Sequence, residues 1–146
     1  MIRTAVAALA LTVAPALAET VTKPSAHSVA DTADRLVAAI EGVGARVMAR
    51  VPHSEGAASV GLELPDAELV IFGNPAVGTL IMQQDLRAGL ILPLRVLVHA
   101  DGQGGAAVTY QTAETMFAAL DVDVSSEAAQ RVNGALGNLT DAATAE

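Results

Sequence analysis

Three imidazoles, at His27, His53 and His99, are the only side chains in this sequence whose ordinary pKa suits proton transfer near neutral pH. His53 is the best placed of them. It follows Pro52 at the end of an alternating stretch and shares the parity of that stretch's apolar face, so it is expected to point inward. There it can serve as a general base, or it can be a satisfied, partly buried side chain that fixes the following turn. Both readings stand at this point. The corner Gly73-Asn74-Pro75 is the second candidate. Asn suits a helix N-cap and Pro the first helical position, and a helix N-terminus attracts anions through its free N–H groups and dipole. Pro75 removes one donor, however, and no lysine is adjacent, so a tight capped turn explains the same residues. Thr79, in the first turns beyond the corner, carries the same two readings.

Other chemistries find little support. The histidines form no His-x-His or His-x3-His pair, so a zinc-type ligand spacing is missing and no metal site is expected. Met48, Met82 and Met116 are scattered and read as flexible core filler. Ser59 lies in Ala-Ala-Ser-Val-Gly, which departs from the Gly-x-Ser-x-Gly elbow of serine hydrolases. The chain has no cysteine, which excludes thiolate nucleophiles, thiolate metal ligands and disulfides. No catalytic residue and no cofactor are expected.

The 146 residues suffice for one domain. Residues 1–18 have the layout of a secretory signal peptide, with Arg3, an apolar run from Ala5 to Val13, Pro15, and Ala16-Leu17-Ala18 ahead of Glu19. Its removal leaves residues 19–146 as a single domain of a periplasmic or secreted protein, with no stable membrane insertion. Loss of Arg3 leaves 7 basic against 16 acidic residues, taking the net charge from −8 to −9. Lys23 is the only lysine, so nucleic acid is not an expected partner. With no Trp, two Phe and one Tyr, the core must be mainly aliphatic.

The elements that position these residues follow from periodicity. An edge strand is expected around Thr20–Lys23, ended by Pro24. Ser28 with Asp31 caps a helix whose apolar set is Val29, Ala33, Leu36, Val37 and Ile40, with Asp31 and Arg35 paired outside and Gly42 and Gly44 as the stop. Ala45–His53 alternates as a half-buried strand, with Val47, Ala49 and Val51 on one face and Arg46, Met48 and Arg50 on the other. A turn of helix fits Ser54–Gly61. Leu69-Val70-Ile71-Phe72 reads as a strand covered on both faces, leading into a short helix that Gln83–Gly89 unwinds. Pro93 opens a strand with Leu94, Val96 and Val98 on one face, joined through Asp101–Gly105 to a strand containing Ala106, Val108 and Tyr110. Thr112 can cap a short helix reaching Leu120. Ser125 or Ser126 can cap a last helix with apolar face Ala128, Val132, Ala135, Leu136 and Leu139, followed by a fraying tail. The order gives an α+β fold, an antiparallel sheet of about five strands with helices on one face.

An ordered set of these residues resembles the DUF302 family, small domains of unknown function. The set is His53, Gly61-Leu62-Glu63-Leu64, Glu68-Leu69, Ile71-Phe72-Gly73-Asn74-Pro75, Gly78-Thr79, Met82, Leu92-Pro93-Leu94, Val96-Leu97-Val98, Asp101-Gly102 and Tyr110. The resemblance implies a curved, TBP-like α+β fold and a homodimer, without implying DNA binding. Three positions depart from the family pattern: Pro52 where an acidic residue is usual, Leu80 for a proline, and His99 for an aromatic. The first weakens any site that relies on an Asp-His pair.

The sequence therefore leads us to expect an exported, non-catalytic module that binds a small molecule or an exported protein partner as a homodimer. Its candidate pocket gathers His53, Asn74 and Thr79 at one end of the sheet, with Met82 and Tyr110 as walls. An enzyme using His53 as acid or base, and a purely structural dimerisation module, are the alternatives.

Overall fold

A computed structural model describes residues 19–146, and the expected signal segment, 1–18, lies outside the described residues. In chain order the elements are β1 (Thr20–Ser25), α1 (Val29–Gly42), β2 (Arg46–Pro52), α2 (His53–Ser59), β3 (Ala67–Gly73), α3 (Pro75–Met82), a 3₁₀ helix (Leu86–Leu90), β4 (Leu94–Ala100), β5 (Ala106–Gln111), α4 (Ala113–Met116) and α5 (Glu127–Thr144). The strands form one sheet in the order β1-β5-β4-β3-β2, every neighbouring pair antiparallel. This is the expected α+β architecture. The first strand closes against the last, and Pro24 is tolerated within β1 because that strand is an edge.

Local signals explain most boundaries. Ser28 Oγ accepts from the Asp31 N–H at 3.1 Å and starts α1, which ends at Gly42, with Gly44 at φ +73° turning the chain just beyond it. Ser126 Oγ accepts from the Ala129 N–H and starts α5. In the β4–β5 hairpin, Asp101 Oδ1 accepts from the N–H groups of Gln103 (2.6 Å) and Gly105 (3.0 Å), which folds the five-residue loop. Gly105 is required for contact, since a Cβ there would sit 2.6 Å from the Ser25 carbonyl oxygen.

Helices α1 and α5 pack on each other and on one sheet face. Between them and the sheet lie Leu36, Ile40, Val70, Phe72, Val96, Val98, Val108, Val132 and Leu136, all buried. Each contributes about 1.5–3 kcal/mol through burial. The hydroxyls inside this layer are paired: Ser25 Oγ with Thr32 Oγ1 at 2.9 Å, and Thr140 Oγ1 donating to the Leu136 carbonyl at 2.7 Å. The opposite sheet face carries Leu69, Ile71, Leu97, His99 and Thr109, all half-buried. The expectation that β3 is covered on both faces holds, among the described residues, for one face only. Val70 and Phe72 are buried, whereas Leu69 and Ile71 are not.

Four local expectations are corrected. The β2–β3 register shifts between Val47 and Ala49, so Met48 has no register partner and the alternation of β2 reverses. Arg50 thus stands opposite Val70, where its guanidinium bonds Glu68 and, at 2.7 Å, Asp34 of α1. The Glu68 bond, then the Asp34 bond, raises the Arg50 pKa above its ordinary value. Arg35 does not pair with Asp31 but donates to the Ala145 carbonyl at 2.9 Å, which His27 Nε2 also meets at 2.8 Å. The C-terminal segment is therefore tied down, with Ala143 fully buried, rather than frayed. Finally, α4 stops at Met116, well short of Leu120.

Candidate functional site

At the Gly73 end of the sheet, β3, α3, the 3₁₀ helix and α5 surround an apolar cavity of about 420 Å³. Its walls are dominated by Phe72, Val77, Met82, Leu92, Val132 and Leu139. The space exists because small residues occupy the positions that would fill it. Ala45, Gly73, Gly78, Gly89 and Ala135 all line it, and a Cβ at Gly89 would already lie 3.4 Å from Met82 Sδ. The space opens to solvent on one side, so it is a surface cleft and not an interior packing void. It falls within the range of small-molecule sites.

The mouth is built by the Gly73-Asn74-Pro75 corner. Asn74 Oδ1 accepts from the Ala76 N–H at 2.9 Å, and the Asn74 carbonyl accepts from Val77 and Gly78, both at 3.0 Å. The first N–H groups of α3 are thus already bonded, which removes the basis for anion capture by that helix terminus. Because the Asn74 side-chain oxygen is occupied in capping, its NH₂ is the end left for a ligand. The polar side chains lining the cavity are Asn74, Thr79 and Arg131. Arg131 reaches it from α5 and donates to Glu127 Oε1 at 2.7 Å in an exposed i,i+4 pair.

Asn74, Thr79 and Met82 are therefore brought together as expected, but His53 and Tyr110 are not. Pro52 pairs with Glu68 at one end of the β2–β3 ladder, and Arg46 with Gly73 at the other. His53 thus lies roughly 20 Å from Asn74, by the rise of the strand. It is exposed and opens α2 instead of continuing β2 inward. The groove at that end, lined by Ser54, Glu55, Leu62, Leu64 and Asp66 among others, is shallow, and His53 is not in its lining. Tyr110 is buried in β5, with the Lys23 ammonium 5.7 Å from its ring centre. It supports the core elsewhere.

Sequence reasoning missed Arg131, Met48 and the 3₁₀ wall. Arg131 was findable, as the cation flanking the α5 stripe of Val132, Ala135 and Leu139. Met48 was not, because only the bulge takes it out of the strand's alternation. A second polar feature lies on the uncovered sheet face, where His99 Nε2 meets Thr109 Oγ1 at 3.1 Å and Thr109 meets Thr22 at 3.0 Å. His99 Nδ1 lies 3.0 Å from the Ala100 carbonyl, so this ring is held at both nitrogens. Among the described residues no group of three or more His, Cys, Asp or Glu side chains is arranged to hold a metal ion.

The sequence profile of the family described as "Domain of unknown function DUF302" matches residues 21–143. The chain belongs to the DUF302 family. The crystal structure of an uncharacterized conserved DUF302 protein from Bacillus stearothermophilus superposes with a TM-score of 0.77 at 17% identity, covering 85% of this chain and 97% of that one. At that identity the likeness carries the fold alone. Among curated proteins, "Fluoride-specific ion channel FluC 1" of Brucella suis is 49% identical over 84 residues, 58% of this chain and 33% of that protein. The same holds for FluC 1 of Brucella abortus and FluC 2 of Brucella melitensis, at 31% of their lengths. This DUF302 chain spans about a third of the length of those relatives. No helix among its described residues is long and apolar enough to cross a membrane.

Proposed function

We propose that this DUF302 domain is an exported, non-catalytic binding module that holds a small, largely apolar molecule between α3 and α5. The observation that carries the reading is the preformed apolar cavity of about 420 Å³ with its polar groups confined to Asn74, Thr79 and Arg131. Met82 and Met48 give it adaptable walls. Catalysis is disfavoured because the exposed His53 lies at the far end of the sheet, away from any enclosed site. Export rests on the signal-like residues 1–18. Titration with a neutral naphthylamine fluorophore tests the cavity. Wild type enhances its emission, and Ala135→Phe, which fills the cavity from α5, abolishes the enhancement while keeping the circular dichroism spectrum. Equal enhancement in both proteins would refute the site.

The homodimer is proposed to form through the uncovered sheet face. Leu69, Ile71 and Leu97 lie there on adjacent strands, with Leu69 and Leu97 register partners. A two-fold axis would bring this apolar strip onto its own copy and bury it.

A second reading comes from the curated relatives. A third of each matches most of the present chain, so a fluoride channel is the partner that their names suggest. Loss of fluoride tolerance on deleting this chain, with restoration by the wild-type chain, would support it. Unchanged tolerance would remove it.

A further inference from the structure

Resting on the reading of the cavity as a ligand site, we infer that its ligand class is a single-chain aliphatic anion, with the charged head at Arg131 and the chain among the apolar walls. The polar lining is one-sided. Arg131 is a cation, the Asn74 side chain has its oxygen engaged by Ala76 and presents NH₂, and Thr79 brings a hydroxyl able to donate. No carboxylate lines the cavity among the described residues, although the chain has 16 acidic residues against 8 basic ones. Every polar side chain there can donate to an oxyanion.

Arg131 is free to answer such a head group. Its pair with Glu127 uses one of the guanidinium's five N–H donors and joins side chains 55% and 82% exposed. Exposed pairs of this kind hold weakly and exchange readily. A carboxylate bound at the edge of an apolar cavity makes charge-assisted, bidentate bonds that water screens less than the surface pair. The rest of the lining offers no partner for a second polar group: Phe72, Val77, Leu92, Val132, Ala135 and Leu139 are all apolar. A head at one end and an unbranched chain beyond it match that distribution. A sugar or nucleotide, polar throughout, does not.

The test displaces the neutral naphthylamine fluorophore with decanoate or with decanol of equal chain length, at neutral pH, in wild type and Arg131→Gln. The expected result is that decanoate competes about tenfold better than decanol in wild type, and that the two become equal in Arg131→Gln. The decanoate advantage should also shrink as salt is raised. Equal competition by both in wild type, or a preference that survives Arg131→Gln, overturns the anion assignment and leaves the cavity reading standing. Failure of the fluorophore and of both competitors to bind overturns the two together. Because Arg131 is exposed on α5, Arg131→Gln keeps the wild-type melting temperature within a degree or two.

Discussion

Asn74 caps α3 with its side-chain oxygen, and under the proposed reading its NH₂ serves the ligand, two roles that separate by substitution. Asn74→Ala loses the cap and should cost about 1 kcal/mol in urea unfolding. Asn74→Asp keeps the cap and suits the helix dipole, so stability holds, while a negative charge at the mouth weakens decanoate relative to decanol. Retained decanoate preference in Asn74→Asp would mean that the head group sits elsewhere. His53→Ala is expected to change stability by less than about 0.5 kcal/mol, as for an exposed position with no hydrogen-bond partner among the described residues, and to leave the fluorophore titration unchanged. Gly105→Ala, by contrast, drives a methyl against the Ser25 carbonyl oxygen. Overpacking against backbone should destabilise by about 1–3 kcal/mol, measurable by the same unfolding curves. These residues also mark what the sequence discloses. Asn-Pro announced its cap because capping is local chemistry between near neighbours. His53 misled because its expected direction came from counting alternation through a strand that contains a bulge.

The 3₁₀ helix contributes Gly89 to one wall of the cavity, is anchored in the core by the buried Ala88, and is capped by Asp85. That carboxylate accepts from the Arg87 side chain and N–H, and its Oδ2 accepts from the Asp121 N–H at 3.0 Å. Gln84 Oε1 adds a bond from the Asp123 N–H at 2.8 Å, so the wall is moored to the loop before α5. The Arg87 bond, followed by the backbone donors, holds the Asp85 pKa far below the ordinary carboxylate range. A depressed native pKa means that the unfolded chain takes up the proton first. The stabilisation is therefore complete above the unfolded value, near 3.9, and is lost progressively as the pH falls below it. Asp85→Asn should lower the melting temperature at neutral pH, with the difference from wild type narrowing under acid. A difference that stays constant from neutral to strongly acid pH would exclude this linkage. At this scale the helices α1 and α5, the hairpin and the helix α3 were legible, since periodicity and caps are written in contiguous residues. The bulge in β2 was not, because the sequence 46–52 alternates equally well with or without it. The cavity was not legible either. It is an absence of side chains, produced where Gly73, Gly78, Gly89, Ala45 and Ala135 from separate segments meet.

Among the described residues, one sheet face is roofed by α1 and α5 and the other presents Leu69, Ile71 and Leu97, all half-buried. A half-buried apolar face is tolerable on an antiparallel sheet, but it also suits a second copy. Ile71→Lys, placed on that face and away from the core, should convert a dimer into a monomer in analytical ultracentrifugation without loss of secondary structure. A monomeric wild type, or a dimer untouched by Ile71→Lys, would remove the sheet-face interface while leaving the cavity unaffected. The chain carries a formal net charge of −8, and the cavity lining contributes one cation, Arg131, paired to Glu127. Native mass spectrometry of the protein taken from the exported fraction, wild type beside Ala135→Phe, with and without added decanoate, tests the central claim most directly. The account predicts chains beginning at Glu19 that bind one small molecule each in wild type and none in Ala135→Phe. Identical bare masses for both proteins, decanoate included, would contradict it.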